Sequence, residues 1–302
     1  MKTVVITGAT SFLGRSVLKK LLDADYDVYA FVRDEKAFSR CGGERLHIVK
    51  GNLDNIEIIL RELTHADYFI HFAWDGSGNA GRADRDTQLR NIDYSMRALN
   101  TAKTLGCNNF IFSGSQAEYG AVREIITENL KCNPVSEYGK AKLAFSEKAA
   151  KFCENNNMNF MHLRIFSVYG PGDRTGTLTD LCVRGFNSGK KVTLGPCSQK
   201  WNYLFIDDFS DIVLRLMQSG CKSGIYNIAS GDTRILREYV MEIYDLSDKS
   251  GEYEFGQTAG NPEGSPSLEP CIDKLNSTIG DINYTSFADG IKSIMKALKQ
   301  EV

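Results

Sequence analysis

Along the first two thirds of the chain, short runs of β-branched and aromatic residues alternate with longer stretches whose apolar positions recur every three or four residues. TVVIT (3–7), DVYAFV (27–32), LHIVKG (46–51), YFIHFA (68–73), NFIFSG (109–114) and NFMHLRIF (159–166) have the composition of strands. RSVLKKLLDA (15–24), IEIILREL (56–63), NIDYSMRALNTAKTLG (91–106) and YGKAKLAFSEKAAKFCEN (138–155) carry the helical period. Strands that stay apolar throughout are covered on both faces, and strand–helix–strand cadence builds parallel βαβ units. The pattern predicts an α/β fold, a doubly wound parallel sheet of the Rossmann type. Such sheets bind ligands at the carboxyl ends of their strands, so the residues just after each strand are the ones to inspect.

Beyond Phe166 the rhythm breaks. SVYGPGDRTGTL (167–178) is rich in turn formers, VTLGPCSQKWNYLFIDD (192–208) is mixed, and GIYNIASGD (224–232) reads as one more strand and loop. The Gly-, Pro- and Ser-rich stretch 247–270 predicts a surface excursion, and FADGIKSIMKALKQ (287–300) an amphipathic closing helix. The expected division is a main domain over 1–166, to which 203–230 returns, and a smaller C-terminal lobe from 167–202 and 231–302.

Composition narrows the function classes. The chain has 302 residues, 42% hydrophobic and 25% charged, enough for a sizeable core. Its 38 acidic and 36 basic residues are interspersed, with a net charge of −2, so no basic surface favours nucleic acid. No apolar run reaches membrane-spanning length, and the start, MKTVVITG, lacks the apolar core of a signal peptide. The eight cysteines (Cys41, Cys107, Cys132, Cys153, Cys182, Cys197, Cys221, Cys271) are scattered without a C-x-x-C pair, which predicts reduced thiols and a cytoplasmic location. The four histidines (His47, His65, His71, His162) do not cluster into a metal site, so no metal is expected.

Candidate chemistry begins at VVITGATSFLG (4–14). Gly8 follows the first strand and Gly14 opens the first helix, the context of a dinucleotide-binding turn. Ser11 stands where a middle glycine would let backbone N–H groups approach a pyrophosphate; its Cβ costs clearance if the backbone needs positive φ. After the second strand, an acid would suit the ribose of NAD and an arginine the 2′-phosphate of NADP. Val32 and Arg33 occupy that point, Asp34 follows one residue late, and Lys36 lies nearby. NADP(H) is therefore favoured, with NAD(H) the alternative.

Tyr138 and Lys142 are four residues apart on one helix face, where an ammonium lowers the pKa of a phenol and fits it for proton transfer to a carbonyl or alcohol. The spacing alone is common in helices. It gains meaning by following a strand whose end presents Ser113 and Ser115, hydroxyls placed to reach the same substrate oxygen.

The ordered set TGATSFLG (7–14), GNLD (51–54), HFAW (71–74), Asn91, FSGSQAEYG (112–120), YGKAK (138–142), LRIFSVYGPG (163–172), YLFIDD (203–208) and YNIASG (226–231) resembles the extended branch of the short-chain dehydrogenase/reductase superfamily, the nucleotide-sugar epimerases, dehydratases and reductases. The resemblance implies a catalytic triad of Ser115, Tyr138 and Lys142, with Lys142 also holding the nicotinamide ribose. It implies cofactor contacts from the turn residues Gly8, Ser11, Phe12, Leu13 and Gly14, from Arg33, and from Asn52 and Leu53, where Asn52 replaces the usual aspartate at the adenine. Phe72 and Ala73 would line the cofactor cleft, with Ser113 beside them and Phe166 near the nicotinamide. Trp74, Ser115, Gln116 and Ser167 would face the substrate, Ser167 standing where many relatives have asparagine.

Relatives that eliminate water carry an Asp–Glu pair after the triad hydroxyl. Gln116 and Ala117 stand there and cannot shuttle a proton, which argues against dehydration. The expected activity is NADPH-dependent reduction of a 4-keto nucleotide-diphosphate sugar; the alternatives are an NAD-dependent 4-epimerase and, in another class, a non-catalytic cofactor sensor. Trp201 either stacks on a nucleobase or hexose or fills a core, and Arg174 and Arg184 either meet the diphosphate or are solvated. By resemblance the chain is expected to form a homodimer through the helices of 91–105 and 138–154.

Overall fold

Five β-branched or aromatic segments, β1 (Thr3–Thr7), β2 (Asp27–Val32), β3 (Leu46–Lys50), β4 (Tyr68–His71) and β5 (Asn109–Ser115), pair in parallel with one another and with β6 (Asn159–Ile165). With β10 (Gly224–Ile228) at the edge, the sheet runs β10-β6-β5-β4-β1-β2-β3. The computed structural model describes residues 1–38, 43–78, 80–220, 223–258 and 267–300. The chain forms two compact units, one of 1–120, 131–165 and 210–226, the other of 121–130, 166–209 and 227–302.

In the first unit the strand order reverses between β1 and β4, which opens a crevice beyond their carboxyl ends. Helices α1 (Phe12–Asp23), α2 (Arg85–Thr104) and α3 (Glu137–Asn155) cross between strands. One face of the sheet buries Val5, Phe69, Phe110 and Phe112 against Ile92, Leu99 and Ala102 of α2 and Phe145 and Ala149 of α3. Two elements depart from the hydrophobic period. Helix α2 starts at Arg85, six residues before the apolar pattern at Asn91, because Asp84 caps the N–H groups of Asp86 and Thr87 ahead of a polar first turn. The 56–63 segment belongs to a 3-10 stretch, Leu53–Arg61, interrupted by Asn55 at φ −137°.

The second unit is built around a small sheet ordered β11 (Thr233–Ile235), β9 (Lys200–Phe205) and β7 (Ser167–Tyr169). Tyr169, Tyr203, Tyr239 and Phe287 pack ring to ring at centroid separations from 4.6 to 5.5 Å. Helix α8 (Phe287–Gln300) has the bounds its pattern predicts. The 247–270 stretch is more than an excursion: β12 (Glu252–Glu254) pairs in parallel with β8 (Lys191–Thr193), and the part over 259–266 lies outside the described residues. Among the described residues the cysteines 107, 132, 153, 182, 197 and 271 form no disulfide; Cys41 and Cys221 lie outside them. No helix among the described residues is long and apolar enough to cross a membrane.

Candidate active site

The first turn of the sheet shows why two glycines suffice. Gly8 has φ +73°, and a Cβ there would lie 2.6 Å from the Ala73 nitrogen, in the turn after β4. A Cβ on Gly14 would lie 2.1 Å from the Gly8 carbonyl oxygen. Ser11 sits between them at φ −73°, ψ 165°, an extended conformation open to any residue, so the clearance cost expected for positive φ does not arise. Its Oγ instead accepts from the Gly14 N–H at 3.1 Å and caps α1. The N–H groups of Phe12 and Leu13, in the first helical turn, have no partner within the helix, and no acidic side chain occupies that turn. A cradle that a Cβ would fill, at a helix N-terminus free of negative charge, fits the pyrophosphate of a dinucleotide.

Thr7, at the end of β1, joins this turn to the next. It accepts through its carbonyl from the Phe72 N–H at 3.2 Å and through Oγ1 from the Ala73 N–H at 3.3 Å. Its Oγ1 also lies 2.9 Å from Nδ1 of His71, whose Nε2 is 2.9 Å from Ser95 Oγ. Burial, with Lys142 nearby, pushes His71 down to about 3, so the ring is neutral and serves as a fixed hydrogen-bonding spacer. Asn91 of α2 holds the following loop by donating to the Asp75 carbonyl at 2.8 Å and accepting from the Asp75 N–H at 3.0 Å. Trp74 donates from Nε1 to Gln88 Oε1 at 2.8 Å.

The positions expected to read the ribose are less constrained. Val32 is buried at the end of β2, whereas the Arg33 side chain is 76% exposed and lies 3.5 Å from Asp75. Asp34 uses Oδ1 to accept from the Lys36 N–H at 3.0 Å. Asn52 donates its N–H to Asn55 Oδ1 at 2.7 Å, just ahead of Leu53, the first residue of the 3-10 stretch.

The residues expected to handle a proton lie where β5 meets α3. Ser136 caps α3 through the Gly139 N–H at 3.2 Å, which places Tyr138 and Lys142 in the first turns and on one buried face. Lys142 is 2% exposed; its Nζ donates to the Ser113 carbonyl at 2.6 Å and lies 3.4 Å from Ser113 Oγ. The same ammonium is 3.8 Å from the Trp74 ring centroid, 4.6 Å from that of Phe112 and 5.7 Å from that of Tyr138. Burial drives Lys142 well below the usual lysine range, and the carboxylate of Glu118 opposes that shift. Tyr138 is 9% exposed, with Trp74 edge-on at 6.2 Å and the Arg82 guanidinium 4.3 Å from its ring centroid.

Ser115 ends β5 and caps a 3-10 turn, Gln116–Glu118. Its Oγ accepts from the Ala117 N–H at 3.2 Å, which leaves its own O–H to point elsewhere. Ser113 Oγ donates to the His71 carbonyl at 3.3 Å, so this hydroxyl is tied into the framework between β4 and β5.

The structure thus brings Gly8, Ser11, Phe12, Leu13, Gly14, Arg33, Asn52, Leu53, Phe72, Ala73, Trp74, Ser113, Ser115, Gln116, Tyr138 and Lys142 into one unit. Phe166, Ser167, Arg174 and Trp201 belong to the other. There, the Phe166 N–H donates to the Ile228 carbonyl at 3.0 Å and Ser167 faces Tyr203 across β7 and β9. Arg174 is exposed, and Arg184 pairs with Asp180 at 2.6 Å. Trp201 pairs with Arg234 across β9 and β11, and its buried Nε1 has no hydrogen-bond partner among the described residues.

Sequence reasoning passed over Arg82 and Glu118. Arg82 sits in a polar loop with no period to mark it. Glu118 carried a signal, a carboxylate between Ala117 and Tyr119 in a turn of otherwise buried side chains.

Residues 4–229 match the model of the NAD dependent epimerase/dehydratase family. The chain is 27% identical to a dTDP-6-deoxy-L-talose 4-dehydrogenase (NAD(+)) of Aggregatibacter actinomycetemcomitans, over 80% of this chain and 88% of that protein. It is 24% identical to a CDP-abequose synthase of Salmonella muenchen, over 82% and 80% of the two chains. The fold superposes on a UDP-glucuronic acid 4-epimerase from Bacillus cereus in complex with UDP-glucuronic acid and NAD, with a TM-score of 0.86, 20% identity and coverage of 99% of this chain and 100% of that one. With the family match spanning three quarters of its length, and with the glycine turn and strand order to accommodate a dinucleotide, this chain belongs to the NAD dependent epimerase/dehydratase family.

Proposed function

We propose that this protein is an NAD(P)-dependent oxidoreductase of nucleotide-diphosphate sugars that reduces a keto group at C4 of the sugar, with NADPH as the favoured reductant. The observation that carries this reading is the placement of Lys142: a buried ammonium held by the Ser113 carbonyl, on the same helix face as a buried phenol and beside the strand end that presents Ser115. That is the equipment for moving a proton to or from an oxygen while a hydride moves at the attached carbon. The relatives support this substrate class, one being named dTDP-6-deoxy-L-talose 4-dehydrogenase (NAD(+)) and another CDP-abequose synthase.

When bound, the reduced nicotinamide supplies the hydride for the carbonyl carbon. Tyr138 gives its phenolic proton to the carbonyl oxygen as that oxygen takes up the π electron pair. One keto group, one hydride and one proton make one secondary alcohol, and the phenol regains its proton from solvent. Ser115 donates to the same oxygen, the direction left to it because its lone pair already receives the Ala117 N–H. Lys142 sets the charge near the phenol. Phe12 and Leu13 bind the pyrophosphate through their N–H groups, and Arg33 binds the 2′-phosphate. Trp74, Gln116, Ser167, Arg174 and Trp201 remain the proposed substrate contacts.

NADPH is favoured over NADH because no acid stands at Val32 and Asp34 is engaged with the Lys36 N–H. The second reading is a 4-epimerase that retains NAD, favoured by the likeness to the Bacillus cereus UDP-glucuronic acid 4-epimerase in complex with NAD. The test is to mix the protein with a 4-keto nucleotide sugar and NADPH. Loss of reduced-nicotinamide absorbance supports the reductase; conversion of UDP-glucose to UDP-galactose without added reductant would support the epimerase instead.

A further inference from the structure

Behind the Ser115 turn lies a buried ionic cluster to which the hydride and proton steps assign no part. Glu118 has no exposed surface. Its Oε1 accepts from the Ser115 backbone N–H at 2.8 Å and lies 3.0 Å from His162 Nε2, and its Oε2 accepts from Arg164 Nε at 3.1 Å. The Arg164 guanidinium in turn stacks over Tyr119, 4.4 Å from the ring centroid. Gly114 makes the cluster sterically feasible, since a Cβ there would sit 2.2 Å from His162 Nε2 and 2.7 Å from Glu118 Oε1.

A buried ion pair is seldom retained for stability alone. Its desolvation cost rivals its attraction, and apolar residues of similar volume often serve as well. The charge therefore calls for a function. Ser115 and Ser113 are two residues apart at the end of β5; Glu118 holds the backbone of the first, and the carbonyl of the second holds Lys142. Burial pushes the Glu118 carboxyl up, but His162 and Arg164 more than offset this, so it stays ionised below the usual carboxylate range. Its negative charge favours the ammonium form of Lys142 against burial that disfavours it.

We propose that Glu118 is a positioning residue of the proton-transfer site, anchored by His162 and Arg164, which fixes the Ser115 turn and supplies the buried counter-charge for Lys142. This inference rests on the reading of Ser115, Tyr138 and Lys142 given under Proposed function. Among the described residues, the other charged or titratable groups recorded against Lys142, Tyr138 or Glu118 are His71 of β4, which is neutral, Arg82 over the Tyr138 ring, and His162 and Arg164 of β6 behind Glu118. None of these is an anion, so the burden falls on Glu118.

The test is Glu118→Gln, which keeps the side chain's shape and one acceptor oxygen and removes the charge. Lysines labelled with 13C at Cε report their own ionisation by NMR, and Lys142→Met assigns the resonance. In the ligand-free variant the Lys142 midpoint is expected to fall by about one pH unit, a tenfold loss of proton affinity. With substrate and NADPH, kcat at neutral pH falls about tenfold while KM changes less than about twofold. Glu118→Gln removes the carboxylate that faces the buried Arg164 and can unfold the chain. The double variant Glu118→Gln/Arg164→Met removes both charges and is expected to lower the Lys142 midpoint in the same direction by a smaller amount in a folded protein. A folded variant whose Lys142 midpoint matches wild type overturns the proposal. The titration needs no substrate, so a shifted midpoint supports the role of Glu118 even if no nucleotide sugar is turned over, an outcome that would count against the proposed function alone.

Discussion

Lys142, on α3 beside the end of β5, and Arg33, just after β2, are both basic side chains of one unit, and their surroundings are opposite. Lys142 is 2% exposed, boxed by Trp74, Phe112 and the Ser113 carbonyl, and burial there disfavours its charge. The Arg33 side chain is 76% exposed and touches Asp75 loosely at 3.5 Å. In a water-poor pocket an electrostatic interaction is several times stronger than in solvent, whereas an exposed pair is screened and contributes little. Under the proposed function, the fold commits its packing to proton transfer and leaves the choice between two cofactors to an exposed side chain.

The largest expected effect falls on the buried side of this contrast. Tyr138→Phe and Lys142→Met are each expected to lower kcat by about a hundred- to ten-thousand-fold, the range for losing general acid–base catalysis. Steady-state kinetics on folded variants check this, and Lys142→Arg should restore little, because a pocket shaped for one ammonium has no room for a planar fork. If Lys142→Met retained near wild-type kcat, the contrast would lose its functional meaning.

Next in size is an acid-dependent loss of stability from the same buried region. His71 is held neutral in the folded protein at about 3, against an ordinary 6.5, so between those values the unfolded chain binds the extra proton. The His71 contribution is fully present above 6.5 and is lost as pH falls toward 3, with a slope approaching about 1.4 kcal/mol per pH unit. Urea unfolding at several pH values should show that slope, and His71→Gln should flatten it.

How legible each region was in the sequence follows from the same physics. The parallel sheet, its crossover helices and the closing helix α8 were readable because burial imposes a period on the sequence. The Tyr138–Lys142 pair was readable because a helix fixes which side chains share a face. The ionic cluster of Glu118, His162 and Arg164 joins residues up to 46 positions apart, and no local spacing announces such a contact. Ser11 shows another limit. Whether a serine can replace a glycine depends on φ, which composition does not report; at −73° the serine fits and caps the helix instead. The early start of α2 was hidden because its first turn is polar and held by the Asp84 cap.

On the exposed side, smaller effects are expected. Arg33→Ala should raise the KM for NADPH about tenfold and leave that for NADH nearly unchanged, the scale of one solvent-screened charge-assisted hydrogen bond. An equal effect on both cofactors would remove Arg33 from the choice between them. Smallest is Ser11→Ala, expected to cost about 1 kcal/mol through loss of the α1 cap, seen as a lowered thermal midpoint with the fold retained.

Hydride transfer to the sugar is tested most directly by following the hydride itself. A 4-keto nucleotide sugar is reduced with NADPH carrying deuterium at the transferred position, and the product is examined by mass spectrometry and NMR. The account predicts one deuterium at C4 of the sugar for each NADPH oxidised, and the same ratio at a far lower rate when Tyr138 is replaced by Phe. An alcohol formed without deuterium, or no oxidation of NADPH by any 4-keto nucleotide sugar while UDP-glucose and UDP-galactose interconvert, would contradict it.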